Sequence, residues 1–226
     1  MDMPADHHPT EPLTEASFRA LARRGLHHGP SDAVFDPRSG QALGPSDWDL
    51  NPELKADLAV MAPPRPAAVL VPIVLRDELT VLLTQRAHDM PSHPGQISFP
   101  GGKVEECDTT PIDCALREAR EEIGLEGHFV EPLGYLDSYR TGTGFQISPV
   151  VAFVRPAFTV VLDAREVLEV FEVPLAFLMD EANHQKHSRE WRGRQRFYYA
   201  MPYQGHYIWG ATAGMLKNLR ERLFQR

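Results

Sequence analysis

The sequence predicts an α/β (α+β) fold, with mixed strands and few helices in an α/β/α or α+β arrangement. Three observations carry this. Short runs rich in Val and Ile, such as Ala67 to Leu75, read as buried strands. Helical periodicity is confined to separated places, near residues 13–25, from Pro111 to Ile123 and from Trp209 to Phe224. The strands do not alternate one for one with helices, which disfavours a regular βαβ array.

Residues 1–65 form an expected N-terminal extension, rich in Pro, Asp, His and Gly, with one helix. In it Phe18, Leu21, Ala22 and Leu26 recur at helical spacing. The run Ala62-Pro63-Pro64-Arg65-Pro66 reads as a stiff linker into a domain spanning residues 66–226. There, Ala67–Leu75 and Leu79–Thr84 read as a hairpin around Asp77-Glu78. A polar loop over 85–95 leads to a short strand, Gln96–Phe99, which stops at Pro100-Gly101-Gly102. The helix from Pro111 ends at Gly124, the residue expected past a helix C-terminus. Strands are expected near 128–137, 145–154 and 158–162, then a helical turn or two over 174–179. A polar hairpin over 186–201 carries Phe197-Tyr198-Tyr199, and a final helix closes the chain.

The 226 residues are 42% hydrophobic, enough to bury a core without covalent staples, and carry a formal net charge of −8. That charge argues against a non-specific nucleic-acid or acidic-membrane binder. Cys107 and Cys114 are too few for a disulfide framework or a zinc site of their own, so a reducing cytoplasm is the expected setting. The start, Met-Asp-Met-Pro-Ala-Asp-His-His, does not read as a signal peptide, and no apolar run approaches membrane-spanning length. The final Leu-Phe-Gln-Arg is not a peroxisomal tail.

Chemistry concentrates between Gly101 and Leu125. On a helical wheel with Glu118 at zero, Ile112, Leu116, Ala119 and Ile123 fall between about 100° and 160°. Glu118, Glu121 and Glu122 fall within about 60° of zero, so the expected helix has a core face and a carboxylate face. Glutamates at i and i+4 repel. Two of them also lie near the helix C-terminus, where the dipole disfavours anions. A hard divalent cation held by oxygens would relieve both effects. The Gly101-Gly102 turn lets a backbone carbonyl add another oxygen.

Arg117-Glu118-Ala119-Arg120-Glu121-Glu122-Ile123-Gly124-Leu125 resembles the core of the Nudix box, Gly-x5-Glu-x7-Arg-Glu-U-x-Glu-Glu-x-Gly-U, where U is apolar. The earlier half departs from it: the acid falls at Asp108, and eight residues precede Arg117. Upstream, Leu82-Leu83-Thr84-Gln85-Arg86, then His93-Pro94-Gly95-Gln96, then Phe99-Pro100-Gly101-Gly102 resemble the extra motif of the coenzyme A pyrophosphatase branch of the Nudix hydrolase superfamily. That branch also carries the longer spacing and the Asp. Met90-Pro91-Ser92 departs from its pattern, whereas Glu166–Leu175 and Ile208–Thr212 resemble it. The likeness covers about residues 66–223 and leaves 1–60 outside.

The resemblance implies a Nudix-type α/β/α sandwich with a mixed central sheet, and hydrolysis of a nucleoside diphosphate linked to another group. For coenzyme A the products are adenosine 3′,5′-bisphosphate and 4′-phosphopantetheine. It implies Mg²⁺ or Mn²⁺, with Glu118 and Glu122 as main ligands, Glu121 as ligand or base, and the Gly101 carbonyl as an accessory ligand. Arg117 is expected to orient Glu121 rather than touch substrate. A distal loop glutamate, Glu166 or with preference Glu169, is an alternative general base. Arg86, His93 and Gln96 are the expected substrate contacts. His88 reads as surface, Cys114 as structural, and Tyr198, Tyr199 and Trp209 as core or interface in preference to adenine-stacking residues. The alternatives are a Nudix hydrolase of ADP-ribose or another nucleoside diphosphate derivative, a non-hydrolytic Nudix-fold sensor or isomerase, and a purely structural acidic domain. The expected partner is the small-molecule substrate, with no nucleic acid and no membrane. The N-terminal helix and the aromatic hairpin are candidate surfaces for a homodimer.

Overall fold

A computed structural model describes residues 13–30, 45–53, 63–90, 92–191 and 193–224. In chain order these form α1 (Glu15–Gly25), β1 (Arg65–Val74), β2 (Thr80–Arg86), β3 (Ile97–Ser98), β4 (Gly101–Lys103), α2 (Pro111–Ile123), β5 (Val130–Tyr135), β6 (Tyr139–Arg140), β7 (Phe145–Val154), β8 (Val167–Pro174), α3 (Leu175–Met179), β9 (Gln185–Trp191), β10 (Arg194–Tyr203), β11 (His206–Trp209) and α4 (Ala211–Phe224). An eight-stranded mixed sheet runs β3-β2-β1-β7-β5, with β4 on β1, β6 on β7 and β8 on β2. β1 and β7 are parallel from Arg65 opposite Phe145 to Val74 opposite Val154. A separate antiparallel meander runs β11-β10-β9.

Side-chain alternation explains the layers, because successive residues of a strand face opposite sides. Ala68, Leu70 and Val74 of β1, Leu82 of β2, and Val150, Ala152 and Val154 of β7 share one core with Ala115, Ala119 and Ile123 of α2. Val69, Val71 and Ile73, then Val81 and Leu83, then Val151 and Phe153 share the other with α1, α3, α4 and the meander residues Met201 and Ile208. The result is the α/β/α sandwich the sequence predicts. Both faces are covered, so the central strands read as continuous apolar runs. Among the described residues, no helix is long and apolar enough to cross a membrane.

The N-terminal helix belongs to this core. Thr14 and Ser17 close a capping box at its start. Phe18 is fully buried, its ring centroid 5.4 Å from that of Phe153. At the helix end, Arg222 Nε donates to the Gly25 carbonyl at 2.7 Å. A boundary at residue 65 therefore does not divide α1 from the rest. Residues 45–53 are built in as well: the Asn51 side chain bonds both the N–H and the C=O of Phe197, at 2.8 and 2.9 Å. The start of the expected linker, Ala62, lies outside the described residues.

One expected strand is corrected. Residues 158–162 form no strand, and Val160, Val161 and Leu162 are exposed. The Val161 N–H donates to the Ile123 carbonyl and the Asp163 N–H to the Glu122 carbonyl, each at 3.0 Å. The C-terminus of α2 uses these amides to satisfy its free carbonyls. The sheet is extended instead by β8, whose apolar pattern is interrupted by Glu169 and Glu172.

If α1 is part of the core, Phe18→Ala should lower unfolding free energy by about 3–5 kcal/mol. Urea denaturation measures this, and a loss below about 1 kcal/mol would mark α1 as peripheral.

Candidate functional site

Local signals place α2. Thr110 and Asp113 form its capping box, Pro111 occupies the first turn, and Gly124 ends it in the left-handed region at φ 70°. A side chain at Gly124 would also meet Val161, whose Cβ is 2.9 Å from the position a Cβ would take.

The face that α2 buries overlaps the one the wheel selects at Ala119 and Ile123 but is turned toward the carboxylate side. Cys114, Ala115, Ala119, Glu122 and Ile123 are buried, while Ile112 and Leu116 are only partly so. Small Cys114 and Ala115 let the helix sit close to β1 and β4. The buried arc therefore includes the two glutamates that the wheel puts opposite the core. Glu122 is 4% exposed, and the Glu118 side chain 15%. Glu121 alone stands out in solvent, its side chain 53% exposed.

Two glycines make this burial feasible. A Cβ on Gly102 would lie 2.4 Å from Glu118 Oε1. Gly101, at φ 155°, would bring a Cβ within 2.4 Å of the Ala68 carbonyl oxygen. The Gly101 N–H donates to Glu122 Oε2 at 3.2 Å. Its carbonyl was the expected metal donor; the contact present is through its amide.

Burial raises the Glu118 carboxyl above its ordinary value, against the opposing pull of Arg117. Burial pushes Glu122 up to about 8, only partly offset by the Gly101 amide, and the charge of Glu118 adds to the rise. The charge of Glu166 acts upward on both. The Cys114 thiol is pushed up to about 12 by burial, and its Sγ lies 3.3 Å from the Lys103 carbonyl. It stays protonated and structural, as the sequence suggests.

Arg117 knits the loop to the helix. Its Nε and Nη2 grip Asp108 at 3.1 and 2.9 Å, and Nη2 also donates to the Lys103 carbonyl at 3.0 Å. Its Nη1 donates to Glu118 at 2.9 Å and to Glu121 at 3.1 Å. Sequence reasoning finds the contact with Glu121 but misses Asp108, whose side chain is 3% exposed and held below the ordinary carboxylate value chiefly by Arg117. The one signal was an acid at that position of the box.

The upstream motif folds beside this cluster. The Arg86 N–H donates to the Gln96 carbonyl at 3.0 Å, and the Gly95 N–H donates to the Arg86 carbonyl at 3.2 Å. Arg86 Nε is buried without a partner, and the Arg86 charge draws the Glu122 carboxyl downward. His93 is exposed at φ 56°, and its carbonyl accepts from Gln96. The structure brings Arg86 within electrostatic reach of Glu122, joins Gln96 to Arg86 through the backbone with its side chain near Gly210, and leaves His93 exposed. Glu169 is not a loop residue. It lies in β8 opposite Gln85, its side chain 3.4 Å from His206 Nε2. Glu166 sits in the turn before β8, tied to the end of β2 by an Ala87 N–H bond to its carbonyl at 2.8 Å.

Among the described residues, no three carboxylate, imidazole or thiol groups are already gathered as a metal cage; the Arg117 cation stands between Glu118 and Glu121. The donor chemistry nonetheless fits a hard divalent ion. The available ligands are oxygens, and two of them are desolvated next to each other, a costly arrangement without a counter-charge.

The NUDIX domain family matches residues 64–196. An uncharacterized Nudix hydrolase, NudL of Enterobacter sp. (strain 638), is 39% identical over 155 residues, spanning 69% of this chain and 81% of NudL. NudL of Klebsiella pneumoniae (strain 342) is 41% identical over the same shares. The NUDIX domain of Shewanella oneidensis NrtR, solved with ADP ribose, is 25% identical, with a TM-score of 0.40 and coverage of 56% of this chain and 84% of that one.

A carboxyl raised on folding keeps a proton that the unfolded chain has released. Its stabilising contribution is present below the ordinary 4.5 and lost as pH rises through about 8. Thermal melts of metal-free protein should therefore fall across that window. Glu122→Gln should flatten the fall, and Mg²⁺ should restore stability at its upper end. Gly102→Ala, which displaces Glu118, should weaken Mg²⁺ binding by about 10- to 100-fold in calorimetry while the helix remains folded.

Proposed function

The chain belongs to the Nudix hydrolase family, and from that premise we propose that it cleaves the pyrophosphate of coenzyme A or its derivatives, with Mg²⁺ or Mn²⁺ as the metal. The observation that carries this is the buried, unpartnered Arg86 Nε beside the desolvated Glu118–Glu122 pair. An anionic substrate would give that guanidinium a phosphate to grip. The preference for coenzyme A rests on the resemblance of residues 82–102 and on the way Arg86 and Gln96 are held side by side.

Glu118 and Glu122, assisted by Glu121 and the Gly101 carbonyl, would hold the cation. A divalent ion bound there would supply positive charge against the pyrophosphate and lower the pKa of a bound water. Arg117 holds Glu118 and Glu121 in place through Asp108. Water adds to one phosphorus, the bridging P–O bond breaks, and the water proton passes to a carboxylate. We assign that proton to Glu166 in preference to Glu169. Glu166 acts electrostatically on both buried glutamates, while Glu169 is engaged with His206. Arg86 and Gln96 orient the substrate, with His93 at the rim of the loop.

Product analysis tests the reading. With Mg²⁺, coenzyme A should yield adenosine 3′,5′-bisphosphate and 4′-phosphopantetheine, and Glu122→Gln should reduce turnover by about a hundredfold or more. Glu166→Gln should lower kcat more than Glu169→Gln. Equal or faster hydrolysis of ADP-ribose would reject the coenzyme A assignment.

A further inference from the structure

The meander has two faces. Met201 and Ile208 face the core, with Tyr199 and Tyr203 packed against it. The other face carries His187, Arg189, Tyr198, Tyr207 and Trp209, joined to one another rather than to the core. Tyr198 meets Trp209 edge to face at 5.1 Å. The Arg189 guanidinium lies 4.6 Å from the centre of the Trp209 ring. The Tyr207 hydroxyl bonds His187 Nδ1 at 2.7 Å and the Tyr198 hydroxyl at 3.2 Å. Arg189 is exposed, and Tyr207 is 38% exposed, among the few large apolar side chains that the described residues leave in solvent.

The charge here runs against the rest of the chain. In a protein of net charge −8, residues 185–209 hold five lysines and arginines against one acid, Glu190, and strand alternation puts Arg189, Arg194 and Arg196 on the same face as Tyr198. An aromatic surface with a positive field fits a ligand that is both flat and anionic. Its position narrows the choice. Gly210, next to Trp209, is close enough to the substrate loop that a Cβ there would lie 3.7 Å from Gln96 Nε2. Thr212 Oγ1 donates to the Ile97 carbonyl at 3.0 Å, fastening the end of β11 to the strand that leads into Gly101-Gly102. Both contacts fasten the end of β11 to that loop on the core-facing side of the strand, so the aromatic face is reached from Gln96 around the strand end at Gly210.

We propose that the outer face of β9–β10–β11 is the seat of the purine base and ribose phosphate of the substrate's nucleotide end. The base stacks against Tyr207 and Trp209, and the Arg189 guanidinium beside Trp209 supplies charge for the phosphate. This rests on the reading that the substrate is a nucleoside diphosphate derivative, and it assigns the end of that substrate which the glutamates do not touch. Tyr198 and Trp209, which the sequence suggests as core or interface, serve recognition instead.

The test uses the full chain in EDTA, with adenosine 3′,5′-bisphosphate as probe, followed by calorimetry and tryptophan fluorescence. Arg189→Gln and Tyr207→Ala should each weaken binding by about tenfold, with melting temperatures unchanged, and Tyr207→Phe, which keeps the ring, should restore binding. With coenzyme A and Mg²⁺, the same variants should raise KM and leave kcat unaltered. Unchanged affinity in both variants, or no binding at millimolar probe, overturns the proposal. So does tighter binding of a single-stranded oligoribonucleotide than of the mononucleotide. If coenzyme A is not cleaved yet the variants still weaken the probe, the nucleotide seat stands and the coenzyme A reading alone fails.

Discussion

Everything at the centre of this molecule depends on how closely α2 approaches β1 and β4. That approach is possible because Gly101 and Gly102 lack side chains: a Cβ on one would strike the Ala68 carbonyl oxygen, and on the other the Glu118 carboxylate. Cys114, Ala115 and Ala119 supply the matching small surface on the helix. Once the helix is that close, Glu122 is nearly cut off from bulk water and Glu118 keeps only a narrow opening to it. The same contact that completes one layer of the core therefore creates a pair of desolvated carboxylates. Protonation and a divalent cation are the two ways to relieve them, and the two compete.

Arg117 shows how the fold tolerates this before any cation arrives. Its bidentate grip on Asp108 fixes the guanidinium at the helix surface, and the remaining nitrogen reaches both Glu118 and Glu121. Asp108 is itself held by the Glu105 amide, so the loop between β4 and α2 is locked to the helix by charge as well as by packing. The extra residue in this loop, relative to the common form of the box, is accommodated without disturbing that lock. Glu122 has no such cation bonded to it. It accepts one amide bond and feels Arg86 across the site, which is why it carries the larger burden of burial.

Most of the fold was legible because its signals are local. Pro111 and Gly124 bracket α2, and β7 spans the predicted 145–154. What the sequence hid was decided by contacts between distant residues. A wheel sorts glutamates outward by polarity and cannot know that two glycines some 16–21 residues upstream open a slot for them. The apolar run at 158–162 looks like a strand, but its amides serve the end of α2. Glu169 reads as part of an acidic turn, yet pairing with Gln85 draws it into β8 and toward His206. Of the site itself, the glutamates and Arg86 were legible from motif position, whereas the Asp108–Arg117 lock required the folded loop.

The charge distribution ties these parts together. Residues 101–126 hold eight acids against three bases, while residues 185–209 are strongly basic. An even spread of eight surplus negatives would repel a phosphate compound from every side. Segregation changes the physics. The acidic segment gathers its carboxylates where a cation can convert them into an attractive site, and the basic meander needs no cation to favour an anion. Thr212 bonds the Ile97 carbonyl, which fastens the segment after Trp209 to the strand that leads into Gly101-Gly102. A ligand with a single compact anion gains from either field alone. A ligand with a phosphate at the base-bearing end and a pyrophosphate further along would gain from both.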